Sequence, residues 1–291
     1  MTGLERWRRW ALVGPPFLWL LLFFLLPLGI VAAISLSQAT DTIPPYAPLV
    51  VHGPSGFETA ATLGNYRLVV EGDFHPYVNS LIYAAAATAL CLLIGYPLAL
   101  AIARAPKSWR NLLLFLVVLP FWTSLLIRVY AWIAILQPTG LINRVLQGLG
   151  LTHAPLMLIY NDFAVVLGLV YGYLPFMVLP LYGSLSSMDE ALVEAAADLG
   201  GSPARVFRAV VLPLSLPGVA AGALLVFIPA IGEFVIPDLL GGPSTLMLGT
   251  LLWQEFFAEV DWPAASAVAM VLVALVTAPV LLAQRLSERP V

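Results

Sequence analysis

Six long apolar runs constrain this chain more than any other feature of its sequence. They cover residues 11–36, 77–103, 111–136, 163–181, 214–237 and 264–282. An apolar helix of about 20 residues, rising 1.5 Å per residue, crosses the roughly 30 Å hydrocarbon core of a bilayer. With 61% hydrophobic and 10% charged residues, the chain is also far more apolar than a soluble domain. The sequence therefore predicts an all-α, polytopic membrane bundle of six transmembrane helices.

The first run has a second interpretation, because basic residues before an apolar stretch also mark a cleaved signal peptide. The apolar part of such a peptide is about 7–15 residues long, and this run is longer, which favours a membrane anchor. We predict a cytoplasmic N-terminus and first helix over 1–36, an external Pro- and Gly-rich loop over 37–76, and a five-helix core over 77–291. The core includes a polar loop at 187–213.

The basic residues are unevenly distributed between the two ends of the predicted helices. If the N-terminus is cytoplasmic, the outer side holds only Arg67, Arg128 and Arg144 of the 13 Lys and Arg residues. The inner side holds Arg6, Arg8, Arg9, Arg104, Lys107, Arg110, Arg205, Arg208, Arg285 and Arg289. This positive-inside bias predicts that both termini and the 187–213 loop are cytoplasmic.

The outer loops carry acids instead, and these would attract a cation. The acids are Asp41, Glu58, Glu71, Asp73, Asp162, Asp238, Glu255, Glu259 and Asp261. The net charge of -3 and the lack of a long basic run argue against nucleic acid as a partner. Cys91 is the only cysteine, so neither an intrachain disulfide nor a cysteine metal cluster can form.

The predicted cytoplasmic loop contains signals for two short helices. Ser187 with Glu190 three positions later has the spacing of a capping box, so we expect a helix over 188–199. Gly200 can adopt the left-handed conformation that ends a helix, and Ser202 before Pro203 can start another. Prolines at 213 and 217 are expected to hinder continuation of this second helix into the fifth span.

The first of these helices has a narrow face of small and apolar residues. Its members recur at helical spacing: Leu192, Ala195, Ala196 and Leu199. An acidic stripe of Glu190, Glu194 and Asp198 lies beside it. The alternative is an amphipathic hairpin that rests on lipid headgroups or on its own bundle. Helices on a lipid surface are rich in Lys and Arg with bulky apolar residues. The acidic, alanine-rich composition favours a protein partner.

The same loop resembles a known family signature. Glu194-Ala195-Ala196, then Gly200, Val210 and Leu212-Pro213, matches the EAA pattern of membrane subunits of bacterial ABC importers, with Val210 replacing the usual isoleucine. FWTS at 121–124, RVYAW at 128–132, GEFVIP at 232–237, GG at 241–242, WQEFF at 253–257 and DWP at 261–263 resemble the polyamine importers, most of all the putrescine type.

The resemblance implies a type I (MetI-like) permease fold, polyamine cargo such as putrescine or spermidine, and a bacterial inner membrane location. It implies that the loop docks on a cytoplasmic ABC ATPase dimer through Glu194, Ala195, Ala196, Gly200, Arg205, Leu212 and Pro213. It also implies a second permease subunit, expected to differ from this chain, and a periplasmic polyamine-binding protein. No G-x-x-x-x-G-K-[ST] motif occurs, so ATP and Mg²⁺ are expected on the ATPase, and this chain is expected to bind no cofactor and to catalyse no reaction.

Two ionisable residues fall within the apolar runs, Arg128 and Glu233. A charge at membrane depth costs about 2.5–3.5 kcal/mol on insertion scales, so each requires a partner or a function. Both lie at a similar predicted height, and an Arg128–Glu233 ion pair is one interpretation. In the other, Glu233 lines the substrate path and binds an ammonium group, with aromatic faces from Trp122, Tyr130, Trp132 or Phe234 and an outer rim that includes Asp238.

Three alternative functions remain to be weighed, one within the same class and two in other classes. A permease of the same class for another small solute fits the signature equally well. A secondary transporter driven by an ion gradient more often has ten or more spans in duplicated halves. An intramembrane hydrolase would need a base within the bilayer, but His52, His75 and His153 all lie in predicted outer segments and no G-x-S-x-G motif occurs.

Overall fold

The computed structural model describes residues 3–53, 56–71 and 74–287. Its helices are α1 (Gly3–Leu20), α2 (Leu26–Ser35), α3 (Gly64–Glu71), α4 (His75–Arg104), α5 (Lys107–Val118), α6 (Leu125–Leu136), α7 (Leu141–Gly148), α8 (Asp162–Ser186), α9 (Glu190–Asp198), α10 (Pro203–Val206), α11 (Leu212–Ile231), α12 (Val235–Leu240), α13 (Leu248–Trp253) and α14 (Trp262–Ser287). Its strands are β1 (Val50–Gly53) and β2 (Gly56–Thr59). Two charges counted above, Asp73 and Arg289, lie outside the described residues.

Six helical stretches are long and apolar enough to cross a membrane. They are Ala11–Ser35, His75–Arg104, Leu125–Gly148, Asp162–Ser186, Pro203–Ile231 and Trp262–Leu281. The predicted number of spans is confirmed, and the first, second, fourth and sixth lie where the apolar runs predict them.

The third predicted span, 111–136, is wrong as a single helix. The chain leaves α5 through a 3₁₀ turn at Leu119–Trp122, and Thr123 is extended, with φ -100 and ψ 148. The Thr123 backbone N–H and hydroxyl both donate to the Pro120 carbonyl, at 3.2 and 2.8 Å. These bonds satisfy a carbonyl that the broken helix leaves free, since Pro120 starts the tighter turn and a new helix begins only at Leu125.

The chain divides into two compact units, and the first comprises residues 1–74 and 251–274. In this unit the Asn65 side-chain amide donates to the carbonyls of Ser35 and Ser37, both at 2.8 Å. These bonds attach α3 to the C-terminal end of α2. Strands β1 and β2 form an antiparallel hairpin within the predicted external loop, a small departure from the all-helical prediction.

The second unit comprises residues 75–250 and 275–291. Helices α4, α8 and α11 pack against one another and form its core. From α4 the core receives the fully buried small residues Ala84, Ala87, Cys91 and Ala99. Small side chains let helices approach closely, which matters in lipid because association there depends on packing and hydrogen bonds.

Hydrogen bonds from the start of α4 hold the segment that follows α12. The Asn79 side-chain amide donates to the carbonyls of Ser244 and Leu246, at 2.9 and 3.1 Å. The Ser80 hydroxyl accepts from the Leu248 backbone N–H at 2.7 Å, in a buried position. These bonds fix where α13 begins, next to the end of α11.

Candidate functional site

The predicted coupling loop contains the short helix α9, but its cap differs from the prediction. The capping box at Ser187 and Glu190 is wrong: the Asp189 carboxylate accepts from the Ala191 backbone N–H at 3.0 Å and starts the helix. Ser187 instead ends α8, and its hydroxyl donates to the Ser184 carbonyl at 3.0 Å. Asp189 lies directly before the helix, so its short side chain reaches the free N–H groups.

The turn after α9 has the predicted left-handed glycine. Gly200 has φ +82, which glycine adopts without the steric cost that a Cβ imposes. The backbone N–H groups of Gly200 and Gly201 donate to Ala197 and Ala196, at 2.9 and 3.1 Å. The turn therefore closes α9 and reverses the chain within two residues.

The second helix of the loop begins at Ser202 and Pro203 as predicted, although the Ser202 side chain makes no cap hydrogen bond. The expectation that Pro213 and Pro217 would separate it from the fifth span is wrong. One helical stretch runs from Pro203 to Ile231 through a π-helical turn at Phe207–Val211. In that turn the Leu212 N–H donates to the Phe207 carbonyl five residues back, which widens the helix just before Pro213 and accommodates its ring.

Helix α9 presents two different faces. Leu192 is 49% exposed, and Leu199, the C-cap residue, is 89% exposed. On another side, Glu190, Val193, Glu194 and Ala197 line a cavity of about 580 Å³, together with Arg104 and Arg110. The predicted docking face is thus open, while the EAA glutamate borders the space between α9 and its own chain.

A helix break directly after the fifth span surrounds Glu233. Helix α11 ends at Ile231 and α12 begins at Val235, with Glu233 in the gap and only 9% exposed. One carboxylate oxygen, Oε1, accepts from the Val235 backbone N–H at 3.0 Å. The other, Oε2, accepts a short hydrogen bond from the Tyr173 hydroxyl of α8. The carboxylate is therefore fixed by a helix N-terminus on one side and by a separate helix on the other.

Gly249 allows another chain segment to pack closely on this break. A Cβ on Gly249 would lie 2.4 Å from the Gly232 carbonyl oxygen and 2.6 Å from that of Glu233. Both distances are shorter than any normal contact, so this position requires glycine. The start of α13 consequently supports the backbone that carries Glu233.

Three aromatic rings, here called the aromatic series, extend from Tyr173 towards Arg128. Tyr173 and Phe176 have ring centroids 6.0 Å apart, and Phe176 and Phe121 have centroids 5.1 Å apart. The Arg128 guanidinium carbon lies 5.4 Å from the Phe121 centroid, within cation–π range. Phe176 is 38% exposed, so part of the aromatic series is accessible.

The aromatic residues predicted for the substrate path have other surroundings. Trp122 is 76% exposed and packs edge-on against Phe115. Trp132 makes an edge contact with Tyr171, and Tyr130 is 58% exposed. Phe234, next to Glu233 in sequence, is 36% exposed, and Asp238 lies exposed on α12. The structure thus puts Tyr173, which the sequence analysis missed, in direct contact with Glu233.

Within the described part of the chain, no ion pair joins Arg128 and Glu233. Arg128 Nε and Nη1 are buried and have no hydrogen-bond acceptor. Glu233 receives its two hydrogen bonds from Tyr173 and Val235 instead. A tyrosine in an apolar run was the available signal for Tyr173, because a buried hydroxyl needs a partner, but nothing local to residue 173 indicates residue 233.

The acids after α13 form a separate group in the first unit. Asp261 Oδ1 accepts from the Ala264 backbone N–H at 2.9 Å and so caps the start of α14. Burial raises the pKa of the Glu255 carboxyl, and the nearby carboxylates of Asp261 and Glu259 raise that pKa further. Phe256 stacks on Trp262 beside these acids, with centroids 5.1 Å apart.

Comparisons with known proteins bear on both regions. Residues 92–291 match the family described as binding-protein-dependent transport system inner membrane component. The chain is 41% identical over 260 residues to the spermidine/putrescine transport system permease protein PotB of Haemophilus influenzae, covering 89% of this chain and 87% of that protein. It is 39% identical over 255 residues to PotB of Escherichia coli K12, covering 87% and 88%.

Solved structures agree on the fold. A bacterial ABC transporter that imports the acidic polysaccharide alginate matches with a TM-score of 0.66 at 18% identity, over 98% of this chain and 96% of that one. The MetNI methionine ABC transporter in an inward-facing conformation matches with a TM-score of 0.56 at 20% identity, over 77% and 97%. At these identities the likeness concerns the fold alone.

Proposed function

The chain belongs to the binding-protein-dependent transport system inner membrane component family, the permeases of ABC importers, and on that premise we propose that its cargo is a linear aliphatic polyamine such as putrescine or spermidine. The proposal draws support from relatives named for spermidine/putrescine transport that align with most of the chain. The single structural observation that carries it is the buried Glu233 carboxylate at the helix break that follows the fifth span.

The chemistry of Glu233 suits an ammonium group. A carboxylate has about four acceptor positions, and from the described residues Glu233 accepts two hydrogen bonds, from Tyr173 and Val235. An ammonium donates up to three hydrogen bonds and is attracted to aromatic faces, which the aromatic series supplies. The methylene chain of a polyamine would then lie along the partly exposed Phe176 ring.

The other predicted path residues are proposed to act further from the carboxylate. Trp122, Tyr130 and Phe234 are exposed enough to meet a passing cation, and Asp238 would add a charge on the same unit. Trp132 is held against Tyr171, so its proposed role is to line the path rather than to bind directly. None of these residues carries the proposal alone.

The energy source is proposed to act through α9. Docking of α9 in a cleft of a cytoplasmic ATPase dimer would cover the exposed Leu192 and Leu199, and the continuous helix from Pro203 to Ile231 would transmit its movement. Glu194, Ala195, Ala196, Gly200, Arg205, Leu212 and Pro213 are the proposed coupling residues. ATP and Mg²⁺ would bind the ATPase, and rigid-body rocking of the helices would alternate the access.

The proposed assembly follows from the orientation predicted by the charges. With both termini and α9 in the cytoplasm, the acid-rich loops face the periplasm, where a polyamine-binding protein would dock. A second permease subunit, expected to differ from this chain, would complete the path. The protein is a multi-pass protein of the inner membrane, surrounded by lipid along its six spans.

The experiment that tests this function is co-purification followed by an ATPase assay. The tagged chain is expected to retain an ABC ATPase, a second permease and a binding protein. Putrescine-loaded binding protein should raise ATP hydrolysis several-fold, whereas 1,4-butanediol, which has the same length without charge, should not. Stimulation by an oxyanion or a neutral solute, and none by any polyamine, would assign the chain to a different cargo within the same class.

A further inference from the structure

Arg128 is the least satisfied charged group described in the second unit. Its Nε and Nη1 are buried without an acceptor, and its guanidinium carbon lies 5.4 Å from the centroid of the Phe121 ring. A guanidinium at membrane depth is costly unless it is paired. A cation–π contact covers one face of the guanidinium but accepts no hydrogen bond from either N–H group.

Glu233 has unused acceptor positions that could receive hydrogen bonds from the Arg128 N–H groups. Its carboxylate makes two hydrogen bonds, to Tyr173 and Val235, and is buried. The two groups belong to neighbouring elements, because α6, which carries Arg128, packs against α12, which begins directly after Glu233. The aromatic series connects Glu233 at one end with Arg128 at the other.

Both ends of this series lie where the backbone is not a regular α-helix. Phe121 lies in the 3₁₀ turn that separates α5 from α6. Glu233 lies in the gap between α11 and α12. Residues at such element ends can absorb a change of backbone dihedrals while the long helices stay intact.

From these observations we propose that Arg128 and the cargo bind Glu233 in turn. At one stage of the cycle the guanidinium pairs with the carboxylate, and an ammonium of the polyamine displaces it. The described structure corresponds to the separated arrangement, in which Tyr173 orients the carboxylate and Arg128 rests against Phe121. This inference rests on the proposed function and identifies Arg128 as a positioning residue that sets the apparent affinity for the cargo.

If Arg128 competes with putrescine for Glu233, replacing Arg128 with Gln should strengthen putrescine binding instead of weakening it. Removing a competing internal cation raises the fraction of molecules with a free carboxylate, so putrescine should bind about fivefold more tightly. A residue that only supports the fold would weaken binding or reduce assembly when replaced. Arg128→Lys keeps the charge and should bind putrescine within about twofold of the wild type.

The test is equilibrium binding of radiolabelled putrescine to the ATPase–permease complex in lipid nanodiscs, without binding protein. Arg144→Gln is the matched control, because Arg144 is an exposed arginine on α7, and it should leave the Kd unchanged. Glu233→Gln should weaken binding about tenfold and abolish the effect of Arg128→Gln in the double variant. An unchanged or raised Kd in an assembled Arg128→Gln complex would overturn the inference.

A charge swap tests the pairing without cargo. Arg128→Glu and Glu233→Arg should each reduce the yield of assembled complex, because each buries like charges near one another. The double variant should recover most of that yield if the groups pair during the cycle, and failure to recover it would contradict the pairing. Absence of any putrescine binding by the wild-type complex would instead count against the proposed function, so the two failures are distinguishable.

Discussion

The coupling loop and the Glu233 break show two different ways in which this chain builds a functional region. Around α9 the described hydrogen bonds are local: Asp189 caps Ala191 two residues later, and Gly201 bonds to Ala196 five residues earlier. At Glu233 one hydrogen-bond partner is local, Val235, but the other is Tyr173, 60 residues away on another helix. A surface that meets another chain can be encoded in one short segment, whereas a buried charge in a helix bundle needs groups from several helices.

The largest expected effect is that of a coupling-loop variant on the amount of ATPase that co-purifies. Leu199→Asp places a charge on the docking face at a leucine that is 89% exposed. Loss of a hot-spot residue costs about 2 kcal/mol or more, so with Leu199 in that role the amount of co-purified ATPase should fall by about thirtyfold or more.

Leu149→Asp is the matched control, since Leu149 is the C-cap of another short helix and is 69% exposed. It should leave the co-purified ATPase unchanged, because α7 is predicted to face the opposite side of the membrane. Equal loss in both variants would indicate general damage and would remove the special role of α9.

Glu233→Gln should show the reverse pattern, with assembly intact and transport impaired. The amide keeps the shape and can still accept from Tyr173, but it lacks the charge that an ammonium needs. Uptake of putrescine at limiting concentration should fall about tenfold to a hundredfold, since a hydrogen bond to a charged group contributes about 1.5–3 kcal/mol. The ATPase should co-purify as in the wild type. Loss of both ATPase co-purification and putrescine uptake in Glu233→Gln would contradict separate roles for the two regions.

Tyr173→Phe should have a smaller effect in the same direction. It removes one hydrogen bond to the carboxylate and retains the ring that stacks near Phe176. The apparent KM for uptake should rise about three- to tenfold with little change in the maximal rate. Tyr171→Phe, on the same helix but packed against Trp132, should leave the KM unchanged.

The smallest expected effect concerns Glu255, which belongs to neither region. Its pKa is raised in the folded chain, first by burial and then by Asp261 and Glu259. A raised folded-state pKa means that protonation favours the fold, so this contribution is present at low pH and is lost as pH rises through that pKa. The thermal midpoint in detergent should therefore increase as pH falls from 7 to 5, by about 1–2 °C because the carboxyl is partly solvated.

Replacing Glu255 with Gln should raise the midpoint at pH 7 and flatten this part of the pH dependence. Asp41→Asn, at an exposed acid of the same unit, should change neither. A slope that persists in Glu255→Gln would locate the titrating group elsewhere.

The sequence was sufficient for the features that depend on local backbone chemistry. The number of spans, the left-handed Gly200 and the helix start at Ser202 and Pro203 are confirmed. These features follow from apolar length, from the absence of a Cβ, and from the fixed φ of proline. Their causes lie within the segment itself, so no tertiary information was needed.

The remaining features depend on neighbours that a linear pattern does not reveal. Pro213 does not end the helix because the preceding turn widens to a π-helix, and Pro120 divides the third run because Thr123 is extended. Ser187 fails as a cap because α8 continues to Ser186 and Asp189 lies closer to the start of α9. Tyr173 was missed because its role exists only when α8 packs beside the end of α11.

Uptake by the complete complex in proteoliposomes tests the central claim most directly. Labelled putrescine and its binding protein would be supplied on the side opposite the coupling loop, with ATP confined to the coupling-loop side. We expect accumulation against the concentration gradient that requires ATP, that a protonophore does not reduce, and that Leu199→Asp and Glu233→Gln each reduce by about tenfold or more. Accumulation without ATP that collapses when the proton gradient is dissipated would contradict an ATP-driven importer.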